Sequence, residues 1–147
     1  VDIYTKMGWA PMHILAVLAA PGDVDLLLEA RADINQRTIA TAALTDQAQM
    51  VRQGWIANKV CKMVFDIFCH LAPGSTPLMF SCLLNNTSVG LYMLDFKADP
   101  AIKSAAGTTA LDFARQRGIS GPLIARLEKE EEIMTTASDF LVTQVSV

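Results

Sequence analysis

A period of 33 residues runs through this chain. Similar strings open at Gly8, Gly74 and Gly107, 66 and 33 residues apart. Each continues in register: Gly8-Trp-Ala-Pro-Met-His-Ile-Leu-Ala16, Gly74-Ser-Thr-Pro-Leu-Met-Phe-Ser-Cys82 and Gly107-Thr-Thr-Ala-Leu-Asp-Phe-Ala-Arg115. A second string follows the first two, Leu26-Leu-Leu-Glu-Ala-Arg-Ala-Asp-Ile-Asn35 and Tyr92-Met-Leu-Asp-Phe-Lys-Ala-Asp-Pro-Ala101, each starting 15 residues past its proline. Repetition on this scale marks a stack of small units, because one unit cannot bury its apolar face alone and stacking supplies the core.

The same period places a fourth unit at position 41, where Thr41-Ala-Ala-Leu-Thr-Asp-Gln-Ala48 has lost the opening glycine and proline. It closes in phase at Val64-Phe-Asp-Ile-Phe68, so Asp33, Asp66 and Asp99 recur at 33-residue steps. Counted backwards, Val1-Asp2 falls at the end of a preceding unit, and the chain is expected to be a piece of a longer protein or to have lost its N-terminal part. Local signals make each unit a helix pair. Thr76 before Pro77 supplies a capping hydroxyl and a ring with fixed φ at the first helical position, and Thr109 before Ala110 is a near equivalent. Ala10 and Ala43 lack that cap, while Ser120 and Pro122 start the second helix of the last unit.

These strings resemble the ankyrin repeat, whose pattern runs Gly-x-Thr-Pro-Leu-His-x-Ala, then a leucine-rich helix, then Gly-Ala-Asp-Val-Asn. The resemblance covers about residues 1–134 and implies an all-α, ankyrin-type solenoid of stacked helix-turn-helix repeats with short hairpin or loop tips. Units are expected to open near 8, 41, 74 and 107, with 1–7 the end of a preceding unit and 135–147 a separate apolar tail that docks on the solenoid or on a neighbouring subunit. The chain departs from the pattern where the glycine of Gly-Ala-Asp becomes Arg31, Val64, Lys97 and Glu130, so those turns are expected to be altered.

By the same resemblance, partners are held at the tips and on the exposed face of each first helix. The groove positions are Val17 and Leu18, Met50 and Val51, Leu83 and Leu84, then Gln116 and Arg117, with Met7, Trp9 and Ile39 among the tip residues. Three successive pairs are apolar, and an exposed strip of that kind marks an interaction site. The expectation is a non-catalytic protein-protein scaffold held in a stable hetero-complex through this groove. The alternatives are a strip that packs within the chain itself, an accessory peripheral subunit of a membrane-bound complex, and a targeting module of a longer enzyme.

Composition narrows the function classes. Apolar residues make up 52% of the 147, more than a small free-standing domain needs, which favours a covered surface. A net charge of -3 leaves no surplus of Lys and Arg to neutralise phosphates, which argues against nucleic acid. Lys59, Lys62 and Asp66 interrupt one long apolar stretch, and His13, Gly22, Asp23 and Asp25 interrupt or bound the other, so no membrane span is expected. Three cysteines at Cys61, Cys69 and Cys82 suit no disulfide framework and point to an intracellular compartment, cytoplasm or organelle.

The chemistry-bearing residues favour structure over catalysis. His13 is the histidine of the Thr-Pro-Leu-His string, where the resemblance implies a bond between neighbouring loops. Cys61, Cys69 and His70 lack the close pairing and fourth ligand of a zinc site, so no metal is expected. Gly118-x-x-Gly121 lacks the Lys and Ser or Thr that would cradle phosphate, and Pro122 removes a donor there. No catalytic residue and no cofactor are expected.

Overall fold

The structure, a computed structural model, describes residues 3–18, 20–42 and 72–145. Among these residues it is all-α, with six helices and no strand: α1 Pro11–Leu18, α2 Pro21–Glu29, α3 Pro77–Leu83, α4 Thr87–Asp95, α5 Ala110–Gln116 and α6 Pro122–Val145. Consecutive helices pair into three hairpins, α1–α2, α3–α4 and α5–α6.

The helix starts follow the local chemistry. Thr76 Oγ1 accepts the Met79 N–H at 3.4 Å ahead of Pro77. At α5 the exchange is reciprocal, Thr109 Oγ1 accepting from Asp112 N at 3.3 Å while the Asp112 carboxylate accepts the Thr109 N–H at 2.8 Å. Ala10 has no side chain to cap α1, and the His13 ring compensates in part, its Nδ1 accepting the Ala10 N–H at 3.1 Å. Asp23 does the same for α2, accepting the Ala20 N–H at 3.0 Å.

The helix ends correct one expectation. Arg31 (φ 59°) and Lys97 (φ 65°) keep the left-handed turn that glycine would normally make. In each case the turn closes by the same two bonds, Ala32 N to Leu27 O and Arg31 N to Leu28 O after α2, Ala98 N to Met93 O and Lys97 N to Leu94 O after α4. Asn85 (φ 59°) and Gly118 (φ 63°) end α3 and α5 by the same device. Two satisfied carbonyls and a docked following residue outweigh the Cβ clash of a non-glycine side chain. Glu130 is different: it lies inside α6, so no such turn occurs there. Val64 lies outside the described residues.

The hairpins stack in two layers. First helices pack in the order α1, α3, α5, and second helices in the order α2, α4, α6. The period places a unit opening at position 41 between the hairpins that open at Gly8 and Gly74. In the structure those two hairpins are immediate neighbours. The Phe80 ring of α3 meets the Trp9 ring edge-on at 5.5 Å and the His13 ring at 5.0 Å. Asn86 Nδ2 donates to Ala16 O at 3.2 Å, and the Tyr92 hydroxyl donates to the Asp25 carboxylate at 2.6 Å. These contacts join the two hairpins directly, and residues 43–71, which make up most of the unit expected to open at 41, lie outside the described residues.

The core runs along the stack as one cluster, from Met12, Ala16 and Val24 through Phe80 and Met93 to Phe113, Leu123 and Leu127. Gly90 lets two second helices approach closely, since a Cβ there would stand 3.0 Å from Ser81 Oγ and 3.1 Å from a Leu123 methyl. Beyond Leu127 the chain departs from the expected tail. α6 runs without a break through 134 and 135 to Val145, and residues 131–145 are all exposed. Residues 131–145 therefore continue past the core of the stack as an exposed helix. No helix among the described residues is long and apolar enough to cross a membrane.

Candidate partner-binding surface

The tips are built from backbone bonds that recur with the sequence. Thr5 N donates to Trp9 O and Gly8 N to Thr5 O, both at 2.9 Å; 99 residues later Ser104 N donates to Thr108 O at 3.0 Å and Gly107 N to Ser104 O at 2.9 Å. Gly8, Gly74 and Gly107 all turn with positive φ, 76°, 79° and 79°. Gly8 is also pressed against its neighbour, because a Cβ there would lie 2.1 Å from the Ile39 carbonyl oxygen. Between the first two hairpins, Thr38 N donates to Ser75 O at 2.9 Å and Gly74 N to Thr38 O at 2.8 Å. The chain thus returns at 72–75 to the place it occupies at 38. Arg37 ties this tip to the next, its guanidinium donating to Gly74 O at 3.1 Å and Lys103 O at 2.6 Å.

The groove positions expected from the sequence divide into three groups. Leu18 (71% exposed) and Ile39 (43% exposed) are open to solvent. Met7 and Trp9 are half-buried at the first tip, and Val17 and Leu84 are half-buried and packed against the core. Leu83 is 2% exposed and belongs to the core, which removes it from the accessible surface. Its neighbours on the stack already fill the space a partner side chain would need. Met50 and Val51 lie outside the described residues, as do Cys61, Cys69 and His70. Leu18 and the first tip therefore remain accessible on the expected face, without a continuous apolar strip joining them among the described residues.

The titratable groups in the interior serve the fold. With Nδ1 accepting from Ala10, His13 carries its proton on Nε2 and donates it to Ser75 O at 3.0 Å, which links the first two hairpins. Burial lowers its pKa from 6.5, against the raising effect of its backbone bonds, so the neutral ring is favoured. Burial pushes the Cys82 thiol up to about 12, which leaves it protonated and a poor nucleophile at neutral pH. The Asp25 carboxylate raises the Tyr92 pKa by accepting a hydrogen bond from its hydroxyl, which favours the protonated phenol. Among the described residues no group of three or more His, Cys, Asp or Glu is placed to hold a metal ion.

The far end of the stack is charged. Arg115 reaches Glu128 at 3.6 Å and Glu131 at 3.5 Å, and Arg126 reaches Asp95 at 3.1 Å and Glu130 at 3.5 Å. Exposed pairs of this kind stabilise by about 1 kcal/mol or less each, so they favour solubility more than stability. Beyond them, α6 exposes Ile133, Met134, Phe140, Leu141, Val142 and Val145. Sequence reasoning places an apolar tail here without its helical order. The signal was the spacing of Leu127, Met134 and Leu141, seven residues apart, which carries the buried stripe of α6 into solvent. A cleft of about 360 Å³ lies where the extension leaves the body, with Lys103, Leu111, Leu127, Glu130, Met134 and Asp139 in its walls.

Neither the models of known protein families nor the curated proteins contain a match to this chain.

Proposed function

We propose that this chain is an ankyrin-type repeat module that binds protein and performs no reaction of its own. Backbone turns that recur in phase with the 33-residue sequence period carry the reading: positive-φ glycines at Gly8, Gly74 and Gly107, left-handed turns after first helices at Asn85 and Gly118, and left-handed turns after second helices at Arg31 and Lys97. A scaffold of this kind fixes loop tips and helix faces in space, and rigidly held surface residues bind at low entropic cost. His13 supports the same reading, since it joins neighbouring loops in the manner the resemblance implies.

The partner is a protein in a stable hetero-complex, held at two places, the first tip, where Ile39 stands exposed near Met7 and Trp9, and the far end of α1, where Leu18 is exposed. The test uses the complex purified under native conditions, with mass spectrometry of what stays attached. Leu18→Ser combined with Ile39→Ser is expected to release the partner while the circular dichroism spectrum is retained. A partner that stays bound to the doubly substituted, folded chain would place the interface elsewhere. Leu83→Ser belongs in a different experiment, because a hydroxyl at that buried site disturbs the fold first.

A further inference from the structure

We infer that the free half of α6 is a self-association surface, on which two copies of this chain pair antiparallel about a two-fold axis passing beside Ala137. With 100° per residue, Ile133, Met134, Ala137, Phe140, Leu141 and Val145 fall within one arc of about 140°. Glu132 and Asp139 lie on the opposite side and Glu131 stands about 40° beyond the edge of the arc, so the arc itself carries no charge within the extension. Leu123 and Leu127, buried in the stack, share the same arc. The interface is thus the core-facing stripe of α6 continued past the point where the core ends.

The choice of a second copy as occupant comes from the symmetry of that stripe. Ile133-Met134 and Phe140-Leu141 stand at equal distances on either side of Ala137. An antiparallel copy centred on Ala137 sets Ile133 against Leu141 and Met134 against Phe140, twice over, and a two-fold interface needs a patch that complements itself in this way. Ala137 is the smallest side chain of the arc and sits where the helices cross, which allows close approach. A shallow groove runs along one flank of this face, lined by Glu132, Ile133, Thr136, Ala137 and Phe140. One step further out, Glu130 meets Gln144 of the second copy, a carboxylate facing an amide donor. A parallel pair would instead set the Glu128–Glu132 runs of the two copies side by side.

Size and sterics agree with this. The five large side chains are 49–85% exposed. Covering them on both copies removes on the order of 1,100 Å² from water, at the low edge of stable interfaces. Residues 131–145 span about 22 Å of helix, exposed along its whole length, and antiparallel pairing carries the two bodies to opposite ends of it.

The test is the mass of the purified full chain in solution by sedimentation velocity across a concentration series. A reversible dimer is expected, at twice 15.9 kDa. Phe140→Asp with Leu141→Asp lies on an exposed helix and is expected to raise the dissociation constant by about 100-fold or more, with helical content kept. Geometry is read by cysteine cross-linking above the parent chain's background. Ala137→Cys alone cross-links two copies, as does Ile133→Cys combined with Leu141→Cys, whereas Ile133→Cys alone does not. A monomer at every concentration, a dimer indifferent to the double aspartate variant, or self-cross-linking through Ile133→Cys alone would each overturn the proposal.

Discussion

Two helical segments that both present Met, Phe and Leu end in opposite environments. α3, Pro77-Leu-Met-Phe-Ser-Cys-Leu83, is buried at every residue, Ser81 included, whose hydroxyl donates to Leu78 O at 2.8 Å. Residues 131–145 of α6 are exposed at every residue, with Phe140 at 63% and Val145 at 85%. The extension also carries Glu131, Glu132 and Asp139 where α3 has no charge, yet Phe140 and Leu141 are as apolar as Phe80 and Leu83. α3 is flanked on both sides, by α1 and α5, and backed by α4; the α6 extension has run past the last element that could cover it. In a stack, burial is decided by having a neighbour on each side, and side-chain type decides only whether a missing neighbour leaves the surface apolar.

Substitutions at matched residues probe that contrast. Phe80→Ala in α3 removes a ring held by Trp9 and His13 and is expected to cost about 3–5 kcal/mol, measured by denaturant unfolding. A loss under about 1 kcal/mol would mean that the first two hairpins do not rest on this side chain. Next comes pH. Because burial lowers the His13 pKa, the unfolded chain binds the extra proton first, so the contribution of His13 is full above pH 6.5 and is lost as pH falls below it. Protonation would also abolish the acceptor for Ala10 N. His13→Gln is expected to flatten this part of the stability profile. Lys97→Gly should then stabilise by about 1 kcal/mol, as the turn keeps its geometry without a Cβ. Phe140→Ala closes the series at about 0.5 kcal/mol or less, provided unfolding is measured at a dilution where the chain is monomeric. A large loss there would give the extension a covering within the same molecule.

Local structure was well written in the sequence. Thr76-Pro77 and Thr109-Ala110 begin helices because their side chains satisfy backbone donors within three residues, and Gly8, Gly74 and Gly107 turn where L side chains would clash. Three features were less visible, each for a physical reason. Arg31 and Lys97 keep the left-handed turn because its two backbone bonds depend on the fold around the helix end rather than on the residue in it. Leu83 is buried where Val17, its equivalent 66 residues earlier, is half-buried, and α3 has a hairpin on either side, which is a property of the stack. The stacking order itself was hidden: a period fixes where units begin along the chain, and says nothing about which of them touch. Of the candidate surface, Leu18 and the tip residues Met7, Trp9 and Ile39 were legible as accessible or half-accessible positions. The symmetry of the α6 stripe about Ala137 gains meaning once the helix is known to continue past Glu132.

The neighbour relation between the hairpins opening at Gly8 and Gly74 underlies both the core and the tip surface. Proton NMR on the intact chain tests it directly through nuclear Overhauser contacts of the Trp9 and Phe80 rings. Cross-peaks between the two rings, and between Phe80 and the His13 ring, are expected from their 5.5 Å and 5.0 Å separations. Rings that show no contact with each other, and that each contact side chains from 43–71 instead, would put a further unit between the hairpins and contradict the account.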